Sequence, residues 1–364
     1  MRHEVKVVIG ANYGDEGKGL VSCQLAKDAL DRGNKVLTVL FNGGAQRGHT
    51  AYGKVYHTTG AAVDLGVDTF YAPRFMLDPI ALWLSEQKVY IDPLCRVVLP
   101  VDVVKNRYVE DVRGSSRHGS CGMGIFQACK RNGDPNQRLL AKELFDSPLK
   151  MIEFRLKQFN EKYGTPHDIV YNNSNFMEAV RYMRNNCICK RLDDIKSMYQ
   201  TVIFEGGQGL LLDQGNKGGF PNLTPSSTGA RNTIGLIQQL GGRPDVYYVS
   251  RTYMTRHGAG KMLNECPREE INPEIVDETN VQNHWQGSLR FGYLSPTQLE
   301  HRIRRDSLMF DGLGGKTINL VFTHGNYTGG KLAVGKDERA EIIMPKFVDR
   351  LWISEAKDEM RREM

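Results

Sequence analysis

The 364-residue sequence contains no apolar run approaching the ~18 residues that a membrane span needs. It contains no CxxC pair. Its seven cysteines (Cys23, Cys95, Cys121, Cys129, Cys187, Cys189 and Cys266) are odd in number and scattered, which argues against a disulfide framework and reads as free thiols in a reducing cytosol. Cys187 and Cys189 with a distant histidine form the one candidate zinc set. There is no repeat, low-complexity linker or long Pro/Ser tract. One large unit over 1–364, with a helical elaboration around 134–200, is therefore expected rather than two domains on a string. Basic residues are nowhere dense: 48 Lys and Arg face 42 Asp and Glu, for a net charge of +6. The small clusters at Arg302, Arg304, Arg305 and at Arg361, Arg362 read as solvated helix faces. No basic stripe with interleaved aromatics marks a nucleic-acid binder. The start, MRHEVKVVIG, lacks the pattern of a signal peptide and runs into a strand. A cytoplasmic protein without membrane or nucleic-acid partner is expected.

Glycine is plentiful, at 38 residues, and its placement is informative. Nearly continuous apolar runs occur at 5–10, 35–43, 201–206, 245–253 and 317–325. Runs without alternation suit strands buried on both faces, as in parallel sheets. Helix-like segments follow at 19–33, which closes on Gly33, and at 232–242; the best amphipathic stretch is 147–163. The pattern predicts an α/β fold with a large, mostly parallel central sheet, flanking helices and a P-loop-like nucleotide site. Four glycine-rich stretches punctuate it: GANYGDEGKG (10–19), FNGGAQRGHT (41–50), RHGSCGMG (117–124) and FEGGQGLLLDQGNKGGFPNLTPSSTGARN (204–232). One such loop is weak evidence, since turns alone require glycine. Four of them, decorated with Thr, Gln, His and Arg, suggest loops converging on phosphorylated ligands.

The first loop departs from GxxxxGK[ST], because Gly19 rather than a hydroxyl residue follows Lys18. A Mg²⁺ ion would need another oxygen ligand, and a carboxylate suits it. Asp15 or Glu16 could supply one, could take a proton from a second substrate, or could do no more than favour the start of the following helix. His49, in a glycine-rich loop after a strand, could protonate or polarise a substrate oxygen.

Together YGDEGKG, GGAQRGHT, FEGGQG with the following LLLD, and the FPNLT stretch resemble the adenylosuccinate synthetase family. Its corresponding patterns are of the WGDEGKG, GGxNAGHT, FEGAQG and YPxVT types, in the same order and with similar spacing. RTYMTRHGAG (251–260) is similar to the family's TRVGAG stretch, and the likeness runs from about residue 5 to 330. The resemblance implies a purine nucleotide ligase. Asp15 would remove the N1 proton of IMP or dIMP, whose O6 attacks the γ-phosphate of GTP or ATP with His49 as the assisting acid. The amino group of L-aspartate would then displace the phosphoryl group to give adenylosuccinate. By the same matching Lys18 and Gln208 join the catalytic set, Lys18 at the phosphates and Gln208 at the purine. Gly14, Glu16, Gly17, Gly19, Gly48, Thr50 and Asn326 would line the nucleotide. Gln46, Ser120, Gly122, Thr224 and Arg256 would hold the monophosphate, Ser288 and Arg290 the amino acid, and Asp15 and the Gly48 carbonyl Mg²⁺. A homodimer is implied, with an arginine shared across subunits, for which Arg138 is a candidate.

Departures from the family pattern keep alternatives in play. The chain is short, resembling the compact archaeal and phage branch. Of the family's TTGRRRR-like loop, VQNHWQGSLRFGY (281–293) keeps only Arg290, so another amine donor is compatible unless Arg47 compensates. Asn326 replaces the carboxylate with which the family reads guanine, and an amide can serve adenine. Asn326-Tyr327 also resembles the phage enzymes that make 2-aminoadenylosuccinate from dGMP, whereas retention of Asp15 favours IMP or dIMP. A nucleotide-binding module without ligase activity is the alternative of another class.

Overall fold

A computed structural model describes residues 2–164, 172–276, 284–356 and 359–362. Residues 281–283 of the expected amino-acid loop lie outside the described residues. The frame is a ten-stranded sheet. In chain order its strands are β1 (Glu4–Gly10), β2 (Val36–Leu40), β3 (Asp68–Tyr71), β4 (Tyr90–Ile91), β5 (Ile188–Cys189), β6 (Thr201–Gly209), β7 (Pro244–Arg251), β8 (Thr317–Thr323), β9 (Arg350–Ala356) and β10 (Glu359–Arg362). Their spatial order is β10-β9-β8-β7-β1-β6-β2-β3-β4-β5. All neighbours pair in parallel except β10, which runs antiparallel along the edge. The sequence-based expectation of a large, mostly parallel sheet with flanking helices holds.

The five strands legible as apolar runs are the five at the centre, buried on both faces. Val7, Val39, Phe204, Tyr248 and Leu320 pack on one face with α6 (Ile234–Leu240) and α7 (Pro296–Ser307), through Ile237, Leu240, Leu299 and Ile303. Val8, Ile203, Val249 and Val321 pack on the other with α1 (Lys18–Asp31), through Val21, Leu25 and Ala29. A second core gathers α4 (Leu149–Tyr163) and α5 (Asn173–Asn186) through Ile152, Leu156, Phe176 and Val180. The helical part starts earlier than 134, since α2 (Pro100–Arg113) and α3 (Ile125–Gly133) precede it.

The reading of the basic clusters as helix faces is corrected: Arg361 and Arg362 lie in the edge strand β10. Arg304 and Arg305 are exposed, but Arg302 of the same helix turns inward. Its Nε donates to the Ala11 carbonyl at 2.8 Å and its Nη2 bonds Asn12 Oδ1, fastening the first glycine-rich loop. Burial draws its pKa down to about 10. All seven cysteines are free thiols; Cys187 packs in the second core, and no grouping of metal-ligating side chains occurs among the described residues.

Candidate active site

Parallel strands aim their carboxyl ends the same way, so the loops after β8, β7, β1, β6 and β2 share one edge of the sheet. Side chains stitch these loops together. Thr323, closing β8, donates its hydroxyl to the Glu16 carbonyl at 2.8 Å. Arg251, closing β7, donates Nε to the Asp15 carbonyl at 2.5 Å. Asn42, after β2, exchanges two 2.8 Å hydrogen bonds with the Gly207 backbone on β6.

The two acids of the first loop part company. Glu16 is sealed, with its side chain 2% exposed. Its Oε1 accepts from the amides of Asn12 (2.7 Å) and Gly14 (3.0 Å), and its Oε2 pairs with Lys18 Nζ at 2.9 Å. Two backbone amides and a lysine are what a phosphate would use in such a loop; here an internal carboxylate takes them. Gly10 makes room for it, since a β-carbon there would overlap the Glu16 carboxylate and lie 2.9 Å from Lys18 Nζ. Glu16 thus shapes the loop from inside, and Lys18 is buried with it. Asp15 keeps 28% of its side chain exposed, in a left-handed backbone conformation (φ 56°), with His257 Nε2 3.7 Å from its carboxylate. Gly17 caps α1 beside Gly19, which packs on His49 and Thr50; Gly48 stands between Arg47 and His49.

His49 is buried and faces Glu205 of β6 across 2.7 Å from Nδ1. Burial and then the Arg47 charge push its pKa down to about 3, so the ring is neutral. Burial alone would raise the Glu205 carboxyl, but the Arg47 charge, with the Ala61 amide, outweighs it and holds it at about 2. Arg47 is not available to clamp an incoming carboxylate, correcting the idea that it replaces the missing arginines. Its Nη2 pairs with Glu205 and its Nη1 donates to the Thr59 carbonyl at 3.1 Å.

Gln208, at φ 57°, and Gln46 flank Gly43: a β-carbon there would lie 3.3 Å from Gln208 Oε1 and 3.5 Å from Gln46 Nε2. Both amide oxygens are buried without a hydrogen-bond partner. Such orphans are costly unless a ligand completes them.

A second group surrounds an open cleft of about 530 Å³ lined by Arg117, Gly119, Gly258, Gly260, Trp285 and Arg290, with Ser288 at its rim. Trp285 lies over Gly122. The Ser120 hydroxyl accepts from Asn106 at 2.8 Å. Asn222 donates to the His118 carbonyl at 3.0 Å, joining the turn that carries Thr224 to this loop. Arg256 stacks on Tyr13 and donates to the Lys261, Ala259 and Asn222 carbonyls, so it organises these turns. Arg290 is paired with Glu265 through two nitrogens and donates Nη1 to the carbonyls of Gly258 and Gly260. Asn326 is exposed in a short turn after β8.

Residues 7–303 match the sequence model of the family described as adenylosuccinate synthetase. The chain belongs to the adenylosuccinate synthetase family. It is 27% identical to the adenylosuccinate synthetase of Lactobacillus helveticus over 342 residues, covering 86% of this chain and 76% of that protein. It is 30% identical to that of Staphylococcus epidermidis over 295 residues, covering 72% and 66%. Among solved structures, the fully ligated Plasmodium falciparum adenylosuccinate synthetase superposes with a TM-score of 0.70 at 18% identity, over 89% of this chain and 77% of that one. The cyanophage S-2L succinoaminodeoxyadenylate synthetase, bound to dGMP and to dATP as energy donor, gives 0.65 at 16%, over 100% and 96%. At these identities the two structures speak for the shared fold.

As a member of this synthetase family the chain is a nucleoside-triphosphate-dependent ligase that forms a C–N bond. Sequence reasoning placed the loops but missed Arg251, Glu205, Glu265 and His257. Glu205 stood in the quoted FEGGQG and His257 in TRHGAG, where the motif signalled the stretch and not the role.

Proposed function

We propose that this protein activates the 6-oxo group of a purine monophosphate, IMP or dIMP, with a nucleoside triphosphate and replaces it with the amino group of L-aspartate, giving adenylosuccinate. A 6-oxo group is a poor leaving group, and phosphorylation makes it a good one. Asp15, the loop acid that keeps solvent exposure, takes the N1 proton. O6 attacks the γ-phosphorus and releases the nucleoside diphosphate. Neutral His49 donates to an oxygen that gains charge during the transfer. The amine then attacks C6 and inorganic phosphate leaves. Lys18, paired with Glu16 beneath the loop, holds the loop in the shape that receives the phosphates. Gln46 and Gln208 bind the monophosphate and its purine. The observation that carries this reading is their pair of buried, unpartnered amide oxygens beside the loops of Asp15 and His49.

Hard oxygen donors suit Mg²⁺, and the exposed Asp15 carboxylate with the Gly48 carbonyl fits it, whereas Glu16 is spent inside the loop. When bound, the ion offsets triphosphate charge. Residues 1–364 act as one cytoplasmic unit and pair as a homodimer.

A matrix of IMP, dIMP, GMP and dGMP against GTP and ATP, with aspartate and other amino acids, tests the proposal by mass spectrometry. Adenylosuccinate or its deoxy form is expected. No nucleotide-dependent product in any combination would sink the ligase reading. The same matrix decides a second reading, favoured by Asn326-Tyr327: GMP or dGMP, whose purine carries a 2-amino group beside the 6-oxo group, converted with ATP or GTP to 2-aminoadenylosuccinate or its deoxy form.

A further inference from the structure

Arg47, His49 and Glu205 meet in the interior, with side chains 1%, 6% and 0% exposed. Arg47 Nη2 lies 2.6 Å from His49 Nδ1. Glu205 Oε1 lies 2.7 Å from the same nitrogen and is itself bonded by Arg47 Nη2. The two neighbours make opposite demands on Nδ1. A carboxylate accepts only and needs an N–H there; a guanidinium donates only and needs a lone pair.

The surroundings favour the arginine. Glu205 is satisfied without the histidine, since Oε1 holds Arg47 and Oε2 accepts from the Ala61 amide at 3.1 Å. Arg47 is itself pinned, with Nη1 on the Thr59 carbonyl at 3.1 Å and its own carbonyl 2.6 Å from His57 Nδ1. Two hydrogens on Nη2 suffice for Glu205 and for His49 together.

We propose that Arg47 is a positioning residue that donates to His49 Nδ1 and so fixes the ring proton on Nε2, making His49 a neutral N–H donor toward the reacting purine. The last step rests on the ligase reading above; the tautomer does not. Arg47 stands where the GGxNAGHT pattern has alanine. A carboxylate without Arg47 would draw the proton to Nδ1 and leave Nε2 a bare acceptor. A histidine in the wrong tautomer cannot donate from the nitrogen that faces substrate.

The test is ¹⁵N-histidine labelling at one fixed pH, with long-range ¹H–¹⁵N correlations reporting which ring nitrogen carries the proton. The His49 signal is assigned by its loss in His49→Gln. Wild-type protein should show the Nε2–H form. Arg47→Ala should show Nδ1–H, with kcat down ~100-fold and KM for each substrate within about twofold. Because Arg47→Ala strands a buried carboxylate, Arg47→Ala/Glu205→Gln is made alongside. The Gln amide can donate to Nδ1, so Nε2–H should return together with about tenfold of the lost kcat. An Nδ1–H ring in the wild type, or an unchanged tautomer in Arg47→Ala, overturns the proposal. The wild-type tautomer decides even if both variants misfold. Protein inactive with every substrate but carrying Nε2–H would count against the ligase reading alone.

Discussion

The two halves of the site hold their charges differently. Beneath the first two loops two charged groupings are sealed: Glu16 with Lys18, and Glu205 with Arg47 and His49. Around the cleft the pairs stay wet, Arg290 with Glu265 at 27% and 41% exposure and Arg117 with a half-exposed Asp111. Removing one partner of a buried pair costs about 3–5 kcal/mol, and an exposed pair is worth about 0–1 kcal/mol. The sealed half is therefore built for fixed geometry at the reacting atoms. The open half can exchange partners as a ligand enters, and its contribution should appear in KM.

The strongest way to break this comparison is Asp15→Asn. Asp15 is the acid that the loop does not consume, so its loss should remove a proton acceptor and leave the architecture intact. We expect kcat to fall ~1,000-fold, with nucleotide dissociation constants by calorimetry changed by less than about threefold. A near-normal rate would take Asp15 out of the mechanism. Its neighbour should behave otherwise. Glu16→Gln leaves the Lys18 charge buried alone, and we expect about 3–5 kcal/mol of lost stability in urea titrations. A wild-type midpoint would mean that the pair opens to water.

That contrast marks the limit of what could be read from the chain. Val, Ile, Leu and Tyr runs identify the five central strands because burial on both faces leaves no alternation to confuse. Strands β4 and β5 are two residues each, too short for any period. Glycine-rich motifs place the loops, yet Asp15 and Glu16 are adjacent and chemically alike. Only the turn at Gly14 and the space above Gly10 decide which carboxylate goes inside. Arg251 and Arg302 reach the first loop from 236 and 291 positions away in sequence, contacts that no local pattern encodes.

Acid should probe the sealed half further. His49 titrates near 3 in the folded chain against an ordinary 6.5, so the unfolded chain binds its proton more readily. Its contribution is whole above pH 6.5 and is lost as pH falls toward 3. Glu205, held near 2 against an ordinary 4.5, is likewise depressed; its contribution is whole above 4.5 and is lost on the way to 2. Tm should therefore decline from pH 6.5 downward and steepen below 4.5. His49→Gln should flatten the upper stretch, between pH 6.5 and 4.5. An unflattened decline would show that the ring is not held neutral by burial.

On the open half, Arg290→Ala tests the partner-exchange idea. Because Glu265 already matches the Arg290 charge, the gain from an incoming carboxylate is only a difference between two partners. KM for the amine donor should rise about tenfold with kcat little changed. Glu265→Gln, which releases the arginine, should lower that KM. A fall in kcat without change in KM would place Arg290 with the sealed half instead.

The smallest effect is expected at Asn326, in the exposed turn after β8. Thr323 ties the same strand end to the first loop, so the turn lies beside the nucleotide side of the site. An amide can donate and accept, whereas a carboxylate only accepts, as guanine N1–H and the 2-amino group require. Asn326→Asp should shift the GTP/ATP ratio of kcat/KM several-fold toward GTP, since a hydrogen bond at an exposed position is worth about 1 kcal/mol. An unchanged ratio would mean that another residue reads the base, and that the turn after β8 only shapes the loop next to it.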